Sequence, residues 1–207
     1  GGGSNGPGAH NPIWQGDSVW TYEAGTPLQG QDNRWTLNLA AFYNDYSHFI
    51  GQNSLAPSTA GAGIVAINLN TGKVESYGLE AEGSWRPTEQ LTLSGGLTLL
   101  HARITDGSEY VATTGMPLPA DRIIFTPDWN AYLNADYVVP VSSADNLRFD
   151  ATLIAKGDRL GSTLDPASVP VLKSYALVNA SVAWIHNDIE FSLFATNLFD
   201  KKYFESF

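Results

Sequence analysis

Apolar and polar residues alternate with a period of two in eight stretches of the chain, and this feature narrows the fold more than any other. In an extended strand successive side chains point to opposite sides, so each stretch carries one apolar and one polar face. Trp35, Leu37, Leu39 and Tyr43 share a face against Thr36, Asn38 and Ala40. Tyr77, Leu79, Ala81 and Trp85 oppose Ser76, Glu80, Glu82 and Ser84, and two carboxylates on one strand face require water. The apolar set continues through Leu91, Leu93, Leu97 and Leu99, then Trp129, Leu133, Ala135 and Tyr137, then Leu147, Phe149, Ala151 and Leu153. It ends with Val178, Ala180, Val182 and Trp184, and with Ile189, Phe191, Leu193 and Ala195. Trp20, Tyr22 and Ala24 mark an earlier strand over 18–25. No amphipathic helix of useful length is expected. Nor does any stretch approach the roughly 18 to 20 consecutive apolar residues that a membrane-spanning helix requires.

The connections alternate in length. Short ones are expected at 26–33, 86–90, 139–146 and 186–188, and long ones, rich in Gly, Ser, Thr and Pro, at 46–63, 104–126 and 157–172. Short turns on one rim and long loops on the other are the habit of a transmembrane barrel, with the long loops outside the cell. Trp35, Trp85 and Trp184 lie near short turns, whereas Trp20 and Trp129 lie at the opposite strand ends, which gives two interfacial girdles. Charged residues make up only 15% of the chain, below the roughly 25% of a soluble domain, while aromatics reach 12%, and this balance suits a surface that meets lipid.

A net charge of −10 with eleven scattered Lys and Arg leaves no basic stripe for phosphates, so no nucleic-acid partner is expected. Without Cys there is no disulfide framework, thiolate metal site or Cys nucleophile, and the four His show no metal-ligand spacing. His10 and His186 read as solvated loop residues. A hydrolase would need a Ser, a His and a carboxylate converging at one rim, and no local motif supports that arrangement around His101. Neither catalytic residues nor a cofactor are expected.

Four segments resemble one family in its own order. Residues 11–25 (NPIWQGDSVWTYEAG) resemble the entry into a mid-barrel strand of TonB-dependent outer-membrane receptors, and 37–46 (LNLAAFYNDY) the strand that follows. Residues 76–82 (SYGLEAE) match that family's SYGxExE pattern, and 197–203 (NLFDKKY) match its penultimate-strand motif NLFDxxY. The resemblance implies an all-β fold, a transmembrane antiparallel β-barrel, of which residues 1–207 supply about eight strands of a probable 22. It implies a Gram-negative outer-membrane location and TonB-dependent active transport of a scarce nutrient complex such as an iron–siderophore. Its partners would be outer-membrane lipid, an extracellular nutrient ligand, and a plug domain and TonB complex acting through the rest of the protein. The plug, its TonB-contacting box and the final strand are not recognised, and Glu205 stands where an apolar residue would precede the terminal Phe207. A self-contained eight-stranded barrel with a structural or adhesive role is the alternative, although Ser84, Ser94, Gly96 and Ser181 would underfill its interior.

Ligand contacts are expected on the long loops and their flanks, where a rigid scaffold holds recognition residues. The candidates are His48, Phe49, His101, Arg103, Tyr110, Arg122 and Arg159. Glu80, Glu82, Arg148 and Asp150 are expected to line a hydrated lumen, with the two Glu pairing with Arg148 or Lys156 or with a plug. This reading makes the native polypeptide several-fold heavier than the 207-residue chain. Intact-mass measurement on the protein from its source membrane checks it, and a mass equal to that of this chain would favour the small barrel.

Overall fold

The computed structural model describes residues 14–30 and 32–205; His10, residues 11–13 of the first motif and Phe207 lie outside the described residues. Among the described residues ten strands and one short helix follow one another: β1 (Ser18–Gln29), β2 (Trp35–Pro57), β3 (Ile64–Trp85), β4 (Leu91–Asp106), α1 (Ser108–Thr114), β5 (Trp129–Pro140), β6 (Asp145–Lys156), β7 (Arg159–Leu160), β8 (Val171–Leu172), β9 (Tyr175–His186) and β10 (Ile189–Ala195). Eight of them form one antiparallel sheet in the order β1-β2-β3-β4-β5-β6-β9-β10, and β7 and β8 pair separately. Among the described residues β1 and β10 are edges rather than partners, so the sheet is an open arc of a barrel wall and not a small barrel closed upon itself.

The register carries the alternation from strand to strand without a slip across the apolar band. Tyr22 faces Tyr43, Tyr43 faces Tyr77, and Tyr77 faces His101. Lower on the same face Leu79 meets Leu99, Leu133 meets Leu153, and Leu153 meets Val178. Near the short turns Trp35 meets Trp85 and Trp184 meets both Leu147 and Phe191. Most of these side chains remain exposed, Leu79 at 57%, and on the same face Leu193 is 76% accessible. One apolar face spread over eight strands far exceeds the few hundred Å² that a soluble monomer tolerates, and hydrocarbon is the solvent that suits it. From Trp35 to Tyr43 a strand climbs about 27 Å, or about 20 Å across the membrane at a tilt of about 40°. Beyond the Tyr43–Tyr77–His101 row the same face turns charged, with Asp45 opposite Glu75 and Glu75 opposite Arg103.

Three of the four short connections are shorter than the sequence suggests, and so is one long one. The expected loop at 46–63 is instead mostly strand, because β2 runs to Pro57 and β3 starts at Ile64. Its alternation is hidden for two reasons. Register shifts after Tyr46, Phe49 and Gly51 each reset which parity faces which side. The hairpin is also covered by α1 and the following loop, so Leu55 and Ala56 are both buried, as are Leu69, Asn70 and Thr71 in succession. Gly72 holds a φ of +126° at the bulge, where an added Cβ would lie 2.0 Å from the carbonyl oxygen of Asp106. Only glycine passes there.

Leu97 and Leu193 sit within the apolar band, and Thr98 sits on the opposite face between Glu80 and Asn130. Leu97→Arg or Leu193→Arg is expected to reduce membrane assembly, a cation at the bilayer midplane costing about 2–4 kcal/mol, while Thr98→Arg assembles normally. Heat-modifiable migration of the membrane-extracted protein measures this. Equal assembly of Leu97→Arg and wild type would reverse the assignment of the faces.

Candidate ligand vestibule

Above the apolar band the long connections are folded rather than slack. Ala56, Ile67, Leu69 and Tyr110 form a small buried core, against which Val65, Met116 and Leu118 pack. Tyr110 is 1% exposed and its hydroxyl donates to the Leu55 carbonyl at 2.6 Å, so α1 is both packed and hydrogen-bonded onto the β2–β3 hairpin. Burial raises the Tyr110 phenol above its ordinary pKa, which keeps it a neutral donor. Gly115 ends the helix in the left-handed region and donates its N–H to the Val111 carbonyl. His48 Nδ1 lies 2.8 Å from Glu109 Oε1 and fastens the helix start to β2. Asn70, 8% exposed, donates to the carbonyls of His48 and Gln15 and accepts from the Gln15 N–H, tying three segments together.

A half-open cavity of about 430 Å³ lies between the bulged part of the hairpin, the 104–126 connection and residues 161–169. Phe49, Leu55, Tyr110, Leu118, Arg122 and Phe125 are among its walls. Nearby, Arg103 Nη1 and Arg122 Nη2 share Asp128 at 3.1 and 3.0 Å, and Arg122 Nη2 also donates to the Asp158 carbonyl at 3.0 Å.

A second cluster clasps the segment after β10. Asn197, at a φ of +49°, accepts from the Lys201 N–H and donates to the Lys201 carbonyl through its side chain, while its own N–H donates to Asn179. The NLFDKKY motif is therefore a turn closed by its asparagine, the residue that best tolerates this backbone after glycine. Tyr203 packs on Tyr175 at 4.4 Å between ring centres, and Tyr175 donates its hydroxyl to Glu205. Lys156 and Arg159 each lie 3.4 Å from Glu205 and within 6 Å of the Tyr175 ring. Glu205 thus meets two cations and a phenol. The Tyr175 hydroxyl, then the charge of Lys156 and Arg159, hold its carboxyl below the ordinary glutamate range.

The polar face is cross-linked along its length. Tyr132 reaches across β4 and donates to Glu82 Oε1 at 2.7 Å, a path open only because residue 96 is glycine, where a Cβ would stand 2.6 Å from the tyrosine ring. Phe42 lies over Gly78 in the same way. The SYGLEAE motif is legible in these terms: Ser76 accepts from Asn44, Tyr77 stacks on His101, Gly78 admits Phe42, and Glu82 anchors Tyr132. The expected pairing of Glu80 and Glu82 with Arg148 or Lys156 does not form. β3 and β6 are three strands apart, about 14 Å. Arg148 instead bonds Asp150 and Glu190 at 3.4 and 2.8 Å, and Ser181 donates to Asp150 at 3.0 Å.

The seven loop candidates therefore separate. Phe49, Tyr110 and Arg122 meet at the cavity, with His48 behind them on Glu109. His101 and Arg103 stand on the apolar ladder, one in the aromatic row and one just beyond it, because they continue the parity of Leu97 and Leu99. Arg159, 1% exposed, is committed to the clasp. Asn70, Asp128, Tyr132 and Tyr175 were missed: the parity of β5 could have placed Tyr132 on the polar face, whereas no local signal exposes the others.

A family model described as TonB dependent receptor-like, beta-barrel, matches residues 15–198. Among solved structures, the ferric yersiniabactin uptake receptor of Yersinia pestis superposes with a TM-score of 0.70 at 21% identity, over 92% of this chain and 26% of that one. The ferric-catecholate import receptor of E. coli in its closed form gives 0.67 at 22% identity, over 99% and 26%. The pyoverdine outer-membrane receptor of Pseudomonas aeruginosa gives 0.65 at 19% identity, over 95% and 27%. The chain spans about a quarter of each of these structures.

Truncating Tyr110 to Ala removes both the core ring and its hydrogen bond, a loss of about 3–5 kcal/mol from the loop assembly. Limited proteolysis of the 104–126 connection is expected to accelerate strongly, with membrane assembly unchanged. Unchanged proteolysis would mean that Tyr110 does not hold this loop.

Proposed function

The chain belongs to the TonB-dependent receptor-like β-barrel family, and on that footing we propose that it forms part of the wall and outer vestibule of a receptor in the outer membrane of a Gram-negative bacterium, one that captures a scarce nutrient complex such as an iron–siderophore. The observation that carries the reading is the pairing of a lipid-facing apolar sheet with long connections built into a folded rim that encloses a cavity. The apolar face anchors in lipid. The opposite face, with Glu80, Glu82, Arg148 and Asp150, lines a hydrated lumen against which a plug domain elsewhere in the protein would sit. Phe49 and Arg122, on the cavity wall, contact the incoming ligand, and Tyr110 supports them from behind. His48 acts indirectly, by holding α1 in place. The chain performs no bond chemistry, and passage of the ligand draws on the TonB complex of the inner membrane.

Growth under iron limitation, with a ferric siderophore as sole iron source, tests this in the source organism. Disrupting the gene is expected to abolish growth on at least one such chelate, as loss of TonB does, and to spare growth on free iron salts. Uptake that persists without TonB would overturn active transport. Growth unaffected on every chelate would overturn the siderophore class.

A further inference from the structure

The rim of short turns, on the far side of the wall from the vestibule, has a charge pattern of its own. Arg34 and Trp35 enter β2, and Trp85 and Arg86 leave β3 in the mirror order. The two Trp are partners across the ladder, and the Arg86 N–H donates to the Arg34 carbonyl at 2.7 Å. Two cations thus stand on adjoining backbones about 5 Å apart, just beyond an aromatic pair, and all four side chains are exposed. Asp32 meets Arg34 Nε only at 3.6 Å, and Arg86 has no ion pair among the described residues. Glu89 shares the turn after β3, while the turns after β5 and β9 contain no Lys or Arg. The positive charge of these turns is therefore gathered at one place. Interfacial Trp mark the depth of lipid headgroups, and Arg beside them meets phosphate, whose oxygens two guanidinium groups can share.

A separate feature lies deeper on the same lipid-facing side. An open recess of about 550 Å³ spans β1 to β4. Ala24, Ala41 and Ala81 keep it open, and Leu39, Leu79 and Leu97 flank it, each small residue lying opposite a larger one in the register of β2, β3 and β4. Leu39 is four residues along β2 from Trp35, about 13 Å of strand, or about 10 Å of depth at a tilt of about 40°. Elsewhere on this face Leu133, Leu153 and Leu193 stand out from the wall. A cation pair at headgroup depth above a hollow at hydrocarbon depth matches the two ends of one molecule.

We infer that this corner of the wall holds one phospholipid of the periplasmic leaflet, with its phosphate between Arg34 and Arg86, its glycerol beside Trp35 and Trp85, and one acyl chain in the recess. The orientation rests on the receptor reading, in which short turns are periplasmic. The inference goes further, because lipid that merely solvates an apolar wall shows no preference for phosphate. A second copy of the chain suits the place poorly, since an isologous contact brings the same cations together.

The test uses the full-length receptor in detergent, washed free of co-purifying lipid. It is titrated with phosphatidylglycerol and with diacylglycerol of the same chains, and bound lipid is counted by native mass spectrometry. Phosphatidylglycerol is expected to bind roughly tenfold more tightly, as two cations near a membrane surface supply. Arg34→Gln with Arg86→Gln should remove most of that preference, and Lys173→Gln, among the long connections, should keep it. Ala41→Leu, which fills the recess, should weaken both lipids and leave their ratio unchanged. If the double variant does not assemble, Arg86→Gln alone decides, because no ion pair is broken by its loss. Equal binding of the two lipids by wild type overturns the inference, as does a preference that survives the Arg substitutions or a dimer that Ala41→Leu dissociates. Heat-modifiable migration, scored in parallel, separates the outcomes: a receptor that assembles normally yet ignores phosphate sinks this inference and leaves the receptor reading standing.

Discussion

Backbone amides and carbonyls have no water to turn to in hydrocarbon, and a strand can cross a membrane only when both of its edges are hydrogen-bonded. Everything in the sheet follows from meeting that demand between neighbours. Each inner strand of the eight-stranded sheet, β2 to β6 and β9, is paired on both sides, and the register that pairs them also aligns Tyr43 with Tyr77 and Leu79 with Leu99. A slip of one residue would bring Glu80 and Glu82 to lipid and the leucines to water. The alternation seen in the sequence and the pairing seen in the structure are thus one constraint expressed twice. The outer edges of β1 and β10 are subject to the same demand, which further strands of a barrel would meet.

On the polar face the demand is different. Side chains there sit half in water, and they gain order from one another: Thr152 donates to Asn134 at 2.7 Å, Thr36 and Ser84 lie 3.0 Å apart, and Arg148 bridges two carboxylates. Each bond on its own is worth little where water competes. Their service is positional. Tyr132 lies flat across Gly96 because Glu82 holds its hydroxyl, and Phe42 lies flat across Gly78, so two aromatic rings pave the wall instead of projecting from it.

How much of this could be read in the residues depends on whether a segment has one wet face. The strands between the girdles do, and their faces were legible one by one, including the two Glu of β3. The upper parts of β2 and β3 do not: three register shifts and cover on both sides replace alternation with runs such as Leu69, Asn70 and Thr71, which look like loop. Tyr110 and Arg159 attracted attention as an aromatic and a cation in connecting segments, yet both are buried, because sequence does not say which loops pack on which. His101 and Arg103 are a different case. Their parity already placed them with Leu97 and Leu99, and only their polarity argued otherwise. Glu205, out of place as a barrel terminus, finds its reason in Lys156, Arg159 and Tyr175.

The small core of Ala56, Ile67, Leu69 and Tyr110 lies wholly above the row of Asp45, Glu75 and Arg103 where the apolar face ends. The rim is therefore a module with its own folding energy, seated on the membrane band but not sharing its packing. Substitutions that reshape the cavity draw on that local reserve and leave insertion into lipid untouched. In evolutionary terms the mouth can diverge quickly while the wall stays put, so one barrel can serve a succession of ligands.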